Sequence, residues 1–155
     1  MSKMIKILFV CHGNICRSTM AEYVMKHLVK KAGLEDQFFI DSAATSTEEI
    51  GNGVHHGTRR KLTEVGIPCG NHRARQMTKE DYDKFDLLIG MDGANLRNMR
   101  RLYSNDSQKK LHLLLEFAGS DRDIADPWYT GNFDATYEDV LSGCAALLEQ
   151  LKKSL

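Results

Sequence analysis

The chain carries no excess of either charge: Lys plus Arg and Asp plus Glu each number 21 over 155 residues, for a formal net charge of zero. Nucleic-acid scaffolds and membrane-surface proteins usually show a basic surplus, so neither class is expected, although a local positive site is compatible with this balance. No apolar run approaches the roughly 20 residues of a membrane-spanning helix. Met1 to Met4 leads straight into an apolar strand pattern rather than a signal-peptide core, so no membrane insertion and a cytoplasmic location are expected. The four cysteines, Cys11, Cys16, Cys69 and Cys144, lack the spacing of a disulfide framework. Reduced thiols are the expectation, and a conspicuous cysteine then points to chemistry. Repeats, low-complexity tracts and linkers are also missing, which leaves residues 1–155 as a single domain able to bury a core.

What is present alternates. Ile5 to Val10 (IKILFV) reads as a strand buried on both faces. From Ser18 the period changes: Met20, Tyr23, Val24, His27 and Leu28 share one helical face. Phe38 to Ile40 is a second strand. Thr58 to Val65 is a helix closed by Gly66 and Pro68. Asp86 to Met91 is a third strand, Asp92 caps a helix running through Arg101, and Leu111 to Leu115 is a fourth strand. Asp134 is the expected cap of a final helix whose Tyr137, Val140, Leu141, Cys144, Leu147, Leu148 and Leu151 form an apolar stripe. Strands alternating with helices predict an α/β fold, a four-element parallel sheet with helices on both faces.

In such sheets ligands bind beyond the carboxyl ends of the strands. The loop after strand 1 is Cys11-His12-Gly13-Asn14-Ile15-Cys16-Arg17-Ser18, and it ends at a helix N-terminus, where free N–H groups and the dipole favour an anion. A bare C-x5-R pattern is weak evidence, but this one sits between a strand and a helix. Gly13 and Asn14 allow the backbone to turn several N–H groups inward as an oxyanion nest. Arg17 adds a planar fork for two phosphate oxygens. Amides and a guanidinium around Cys11 favour its thiolate, a nucleophile for a phosphate ester. Cys69 and Cys144 read as small packing thiols.

The loop lacks the G-x4-G-K-[ST] of a nucleotide-binding loop and the G-x-G-x-x-G of a dinucleotide fold. Cys11 and Cys16 have no second ligand pair for zinc, and His55, His56, Cys69 and His72 are scattered ligand types, so neither metal nor cofactor is expected. Cleaving a phosphate ester needs a proton donor at the leaving oxygen. The loop after the fourth strand, SDRDIADPWYTGNFD, supplies candidates. Asp126 is stiffened by Pro127 and followed by the aromatic Trp128 and Tyr129, while Asp121 and Asp123 are rivals without such a partner.

FVCHGNICRS near the start, DSAATS at 41–46, ARQMTKEDYDKFDLLIGMD at 74–92 and DPWY at 126–129 together resemble the low-molecular-weight protein tyrosine phosphatase family, over essentially the whole chain. The resemblance implies Cys11 as nucleophile, Arg17 as phosphate clamp and Asp126 as general acid, then base, in a cysteinyl-phosphate mechanism. Phosphotyrosine-containing proteins or peptides would be the substrates and inorganic phosphate the product. It further implies that Asn14 holds a strained phosphate-binding loop with the support of Ser18, Ser42 and His72. The family usually has proline where Thr19 stands, which should weaken helix initiation only slightly. His12 is expected at the pocket rim. Ile15, opposite Trp128 and Tyr129, suits an aromatic ring, whereas a related branch acting on phosphoarginine carries threonine there. Arsenate reductases of the same fold need further paired cysteines near the third strand, and none lies between Cys69 and Cys144. A non-catalytic phosphoprotein-binding module is the remaining alternative. A reversible Cys11–Cys16 disulfide that protects a redox-sensitive nucleophile is a separate expectation.

Overall fold

The computed structural model describes residues 4–104 and 106–155. The signal-peptide reading above rests partly on residues 1–3, which lie outside the described residues. Four strands, β1 (Ile5–Cys11), β2 (Phe38–Ala44), β3 (Leu87–Gly90) and β4 (Leu111–Leu113), form a parallel sheet in the order β2-β1-β3-β4. Six α-helices are described around it: α1 (Arg17–Lys31), α2 (His56–Glu64), α3 (Glu80–Lys84), α4 (Gly93–Leu102), α5 (Pro127–Thr130) and α6 (Phe133–Lys152).

Alternation along β1 explains the two layers. Ile7, Phe9 and Cys11 point into a core shared with Met20 and Val24 of α1 and with Val140, Cys144, Leu147 and Leu148 of α6. Leu8 and Val10 point the other way, onto Leu88, Phe85, Met99 and Tyr103. A central strand covered on both faces takes apolar side chains at successive buried positions, here Ile7 to Val10, which is why its sequence reads as a run rather than an alternation. The layout leaves the carboxyl ends of β1 and β3 open on one edge, where the loops 12–16 and 119–126 converge.

Several boundaries move for identifiable reasons. β1 continues through Cys11, because that residue still pairs with Ala44. β2 extends to Ala44 through the polar pair Asp41-Ser42, which hid it from an apolar count. β3 is limited to Leu87–Gly90, and β4 stops at Leu113, where Leu114–Ala118 tightens into a 3-10 turn. α2 begins earlier, at His56, with Gly66 at φ 75° beyond its end. On α1, His27 and Leu28 are half-buried while Met25 and Val29 are buried, since α1 is wedged between the sheet, α6 and the loop. Asp92 caps α4 as expected. Asp134 does not cap α6; Asn132 does, accepting the Ala135 N–H at 3.0 Å. Asp134 lies one residue inside the helix and pairs with Lys61 at 2.8 Å. The short helices α3 and α5 carry too little periodicity to be read from sequence.

Candidate active site

The loop between β1 and α1 is laced outward by its carbonyls. Cys11 O accepts Thr45 N–H at 3.0 Å, His12 O accepts Ser46 N–H at 3.1 Å, and Ile15 O accepts His55 N–H at 2.9 Å. Cys16 O accepts the hydroxyls of Thr58 and Thr19, each at 3.0 Å. With its carbonyls held outward, the loop turns N–H groups toward its centre. Cys16 is the N-cap of α1 yet makes no side-chain cap bond, so the first-turn N–H groups stay available.

Cys11 is buried, and its Sγ lies 3.3 Å from Asn14 N, 3.4 Å from Ser18 N and 3.0 Å from Ser18 Oγ. Asn14 Nδ2 donates to Ser18 Oγ at 2.8 Å, which leaves the serine proton free to point at sulfur. Three donors thus converge on one acceptor.

Asn14 sits at φ 61° and is fully buried. A non-glycine residue held there costs about 1–3 kcal/mol. Its side chain is fully used: Nδ2 reaches Ser18 and, at 2.9 Å, Ser42 Oγ, while Oδ1 accepts His72 Nε2 at 2.7 Å and Arg75 N–H at 3.2 Å. Since Asn14 Oδ1 can only accept, His72 donates through Nε2. Ser42 in turn donates to Glu22 Oε1 at 2.6 Å. Ser18, Ser42 and His72 therefore meet around Asn14. From the sequence, Tyr23 is placed only on a helical face and Glu22 is not singled out, yet the Tyr23 hydroxyl accepts His72 N–H at 3.0 Å. The available signal was a carboxylate, Glu22, on the buried face of α1.

Arg17 is almost wholly buried. Its guanidinium donates to Asp92 Oδ2 at 2.7 Å, Ile124 O at 2.9 Å and Asp126 Oδ2 at 3.4 Å. Burial opposes its charge, but Cys11, Asp92 and Asp126 together outweigh burial and raise its pKa above the ordinary arginine value. Asp92 was read only as a helix cap; its position at the exit of β3 was the sign of a second role.

Asp126 caps α5 through Oδ1, which accepts Trp128 N–H at 3.0 Å, with Pro127 as the first helical residue. Its rivals are elsewhere: Asp123 accepts Gly93 N–H at 3.0 Å and steadies the β3–α4 turn, and Asp121 is exposed. A cavity of about 100 Å³ lies over the loop, lined by Cys11, His12, Gly13, Ile15, Cys16, Glu48, Glu49, Asp126, Trp128 and Tyr129. His12 is at the rim, its Nε2 2.9 Å from Glu48 Oε2. Trp128 and Tyr129 are exposed. Burial, and then the Cys11 and Asp126 charges, push the Cys16 thiol up to about 12, so the two loop cysteines occupy unlike surroundings.

Thr19 replaces a helix-starting proline at little structural loss. Its hydroxyl is shared between Ile15 O at 2.8 Å and Cys16 O at 3.0 Å, adding to the His55 N–H and Thr58 hydroxyl that those carbonyls already accept. Glu22, Asp41 and His72 gather ligand-type atoms within 4.8 Å. Each is already engaged: Glu22 with Lys26, Asp41 with Arg75, His72 with Asn14. His55 and His56 stack on each other, centroids 4.2 Å apart. Burial and then the His56 charge lower the His55 pKa.

The family model for low molecular weight phosphotyrosine protein phosphatases matches residues 6–155. The chain belongs to this family. It is 40% identical over 152 residues to the low molecular weight protein-tyrosine-phosphatase YfkJ of Bacillus subtilis, covering 97% of each chain. The crystal structure of YfkJ is similar throughout, with a TM-score of 0.94 over 98% of this chain and 97% of that one. The chicken low molecular weight phosphotyrosine protein phosphatase is 41% identical, covering 93% of this chain and 94% of its own. A Drosophila arginine phosphatase is similar at 32% identity, with a TM-score of 0.88 over 96% of this chain and 98% of its own. The family is one of cysteine-dependent hydrolases, and the four-stranded parallel sheet here is the fold shared with its solved members.

Proposed function

We propose that this protein hydrolyses phosphotyrosine monoesters through a cysteinyl-phosphate, with the whole chain acting as one catalytic domain. The observation that carries the reading is the convergence of three donors on Cys11 Sγ in a pocket that Asp126, itself 3.4 Å from Arg17, also lines.

The phosphate enters the nest, and its oxygens replace the Asp126 contact to Arg17 while loop N–H groups take the rest of the charge. Cys11 sulfur attacks phosphorus; an S–P bond forms as the P–O bond to the phenol breaks. Asp126, in its acid form, gives its proton to the departing phenolate oxygen. The resulting Asp126 carboxylate then takes a proton from water, whose oxygen attacks phosphorus. The S–P bond breaks, inorganic phosphate leaves, and the sulfur is regenerated under the Ser18 hydroxyl. No metal or cofactor is required by these steps.

Ile15, Trp128 and Tyr129 all line the pocket, which supports an aryl leaving group over the guanidinium of a phosphoarginine. The substrates are phosphotyrosine-containing proteins or peptides. No helix among the described residues is long and apolar enough to cross a membrane. A free catalytic thiol works only where it stays reduced, which supports a cytoplasmic location.

The test is hydrolysis of para-nitrophenyl phosphate with a chelator present, followed by peptides phosphorylated on tyrosine, serine or arginine. The proposal expects chelator-resistant turnover with tyrosine preferred, and none from Cys11→Ser. A silent protein that still binds phosphopeptide would make it a binding module; preference for phosphoarginine would move it to the other branch.

A further inference from the structure

We infer that the mouth of this pocket selects phosphotyrosines flanked by lysine or arginine, and that Glu48 and Glu49 are the residues that select. The inference rests on the phosphatase reading of the pocket and names its substrate class.

The charges at the rim are one-sided. Three carboxylates, Glu48, Glu49 and Asp126, line the pocket, and among the described residues no lysine or arginine does. Asp126 faces inward to Arg17 and is committed to the phosphate end. Glu48 and Glu49 face the entrance from the segment after β2, and both are held there. Glu48 Oε2 is 2.9 Å from His12 Nε2, and its side chain remains 69% exposed, free to meet a second cation. Glu49 Oε2 accepts Asn52 Nδ2 at 2.6 Å. Its Cγ would lie 3.3 Å from a Cβ added at Gly13, so the acidic segment rests directly on the phosphate-binding loop.

The segment itself is fastened to the loop: Ser46 donates to His12 O through both its N–H, at 3.1 Å, and its hydroxyl, at 2.9 Å. The segment that carries the acids is therefore anchored to the loop beside the pocket. Arg73 donates to Gly51 O, just beyond the acidic segment, at 2.9 Å and is absent from the pocket lining. Arg17 is buried outside the pocket lining and is held by Asp92 at 2.7 Å, committed to the phosphate end.

A peptide entering with its phosphotyrosine in the nest thus lays its neighbouring residues between two carboxylates and the exposed rings of Trp128 and Tyr129. Lysine and arginine suit both partners, their stems covering aromatic surface while their charged ends reach carboxylate. Aspartate or glutamate in the same places meets like charge, a rejection as well as a lost attraction.

The test compares kcat/KM for two phosphotyrosine peptides that differ only in carrying lysine or glutamate on both flanks. Para-nitrophenyl phosphate is run alongside as the flank-free substrate. We expect a lysine-to-glutamate ratio of roughly fivefold or more at about 50 mM salt, falling toward one at about 500 mM as screening shortens the field. In Glu48→Lys and Glu49→Lys the same ratio should fall below one, each variant serving as its own reference. If para-nitrophenyl phosphate is cleaved but the wild-type ratio is one or less, the inference fails while the phosphatase reading stands. A high ratio unmoved by both charge reversals also overturns it, because the selection then lies elsewhere. If no substrate is cleaved, both readings fall together.

Discussion

Asp92 binds two parts of the molecule with its two oxygens: Oδ2 takes Arg17 Nη1 at 2.7 Å, and Oδ1 accepts the Asn95 N–H at 2.8 Å as the cap of α4. One carboxylate thus fixes Arg17 to the helix behind it. Asp92→Asn keeps a capping oxygen but removes the charge facing a buried guanidinium. Its kcat/KM for aryl phosphates should fall about tenfold, equivalent to about 1.4 kcal/mol of transition-state stabilisation. Asp92→Ala should fall further and lose about 1 kcal/mol of stability with the cap. Steady-state kinetics and urea unfolding read the two effects separately; wild-type kinetics in Asp92→Asn would remove the positioning role.

Asn14 combines a left-handed backbone with four side-chain hydrogen bonds, and two substitutions separate these. Asn14→Ala loses the bonds and keeps the strain, so about 2–4 kcal/mol of stability should go. Asn14→Gly loses the same bonds but relieves the strain, and should be about 1 kcal/mol more stable than the alanine variant. Denaturant midpoints of the pair measure this difference directly. Equal stabilities would mean that the backbone at φ 61° stores no strain.

The Cys16 thiol is raised from 9.0 to about 12, chiefly by burial. In the unfolded chain it ionises near the ordinary value, while in the folded chain it stays protonated to far higher pH. Its contribution to stability is therefore complete below about pH 9 and is lost as pH rises from there toward 12. Unfolding at pH 8, 9 and 10 should show declining stability, with up to about 1.4 kcal/mol per pH unit from this one group. Cys16→Ala should show a shallower decline. An unchanged slope would show that Cys16 does not carry it.

Gly57 is required by close approach: a Cβ there would lie 2.3 Å from the Phe133 ring. Phe133 stacks on His55 at 5.4 Å, and His55 meets Trp128 edge-on at 5.6 Å. Gly57→Ala should displace this chain of rings, lowering stability by about 1–3 kcal/mol and raising KM for aryl phosphates. Calorimetry and kinetics on the one variant check both; a stable variant with unchanged KM would show that Trp128 stands without the support of His55.

Much of this is legible in the sequence. Buried strands announce themselves as apolar runs, so β1 and its exit loop were placed from Ile5 to Ser18, and the loop carried its own chemistry in Cys11, Gly13, Asn14 and Arg17. Partners distant in sequence were harder. Glu22 looks like any helix glutamate until Ser42 and His72, 20 and 50 positions away, fold onto it. Asp92 signalled only its local role, because a cap is a short-range pattern and an ion pair to Arg17 spans the sheet. The misplaced cap of α6 has the same origin: Asn132 and Asp134 are both capping types, and only the backbone decides between them. Ser42 and His72 were placed by resemblance, not by any pattern in their surroundings.

The central claim concerns one sulfur. Rapid acid quenching during turnover of an aryl phosphate, followed by peptide mass mapping, reads it directly. The account predicts a phosphoryl group covalently bound to Cys11 sulfur, absent in Cys11→Ser. With Asp126→Ala, it should form readily only from substrates with good leaving groups and decay more slowly by about 10²-fold or more. Turnover with no such adduct, or with the phosphoryl group on any other residue, would contradict the account.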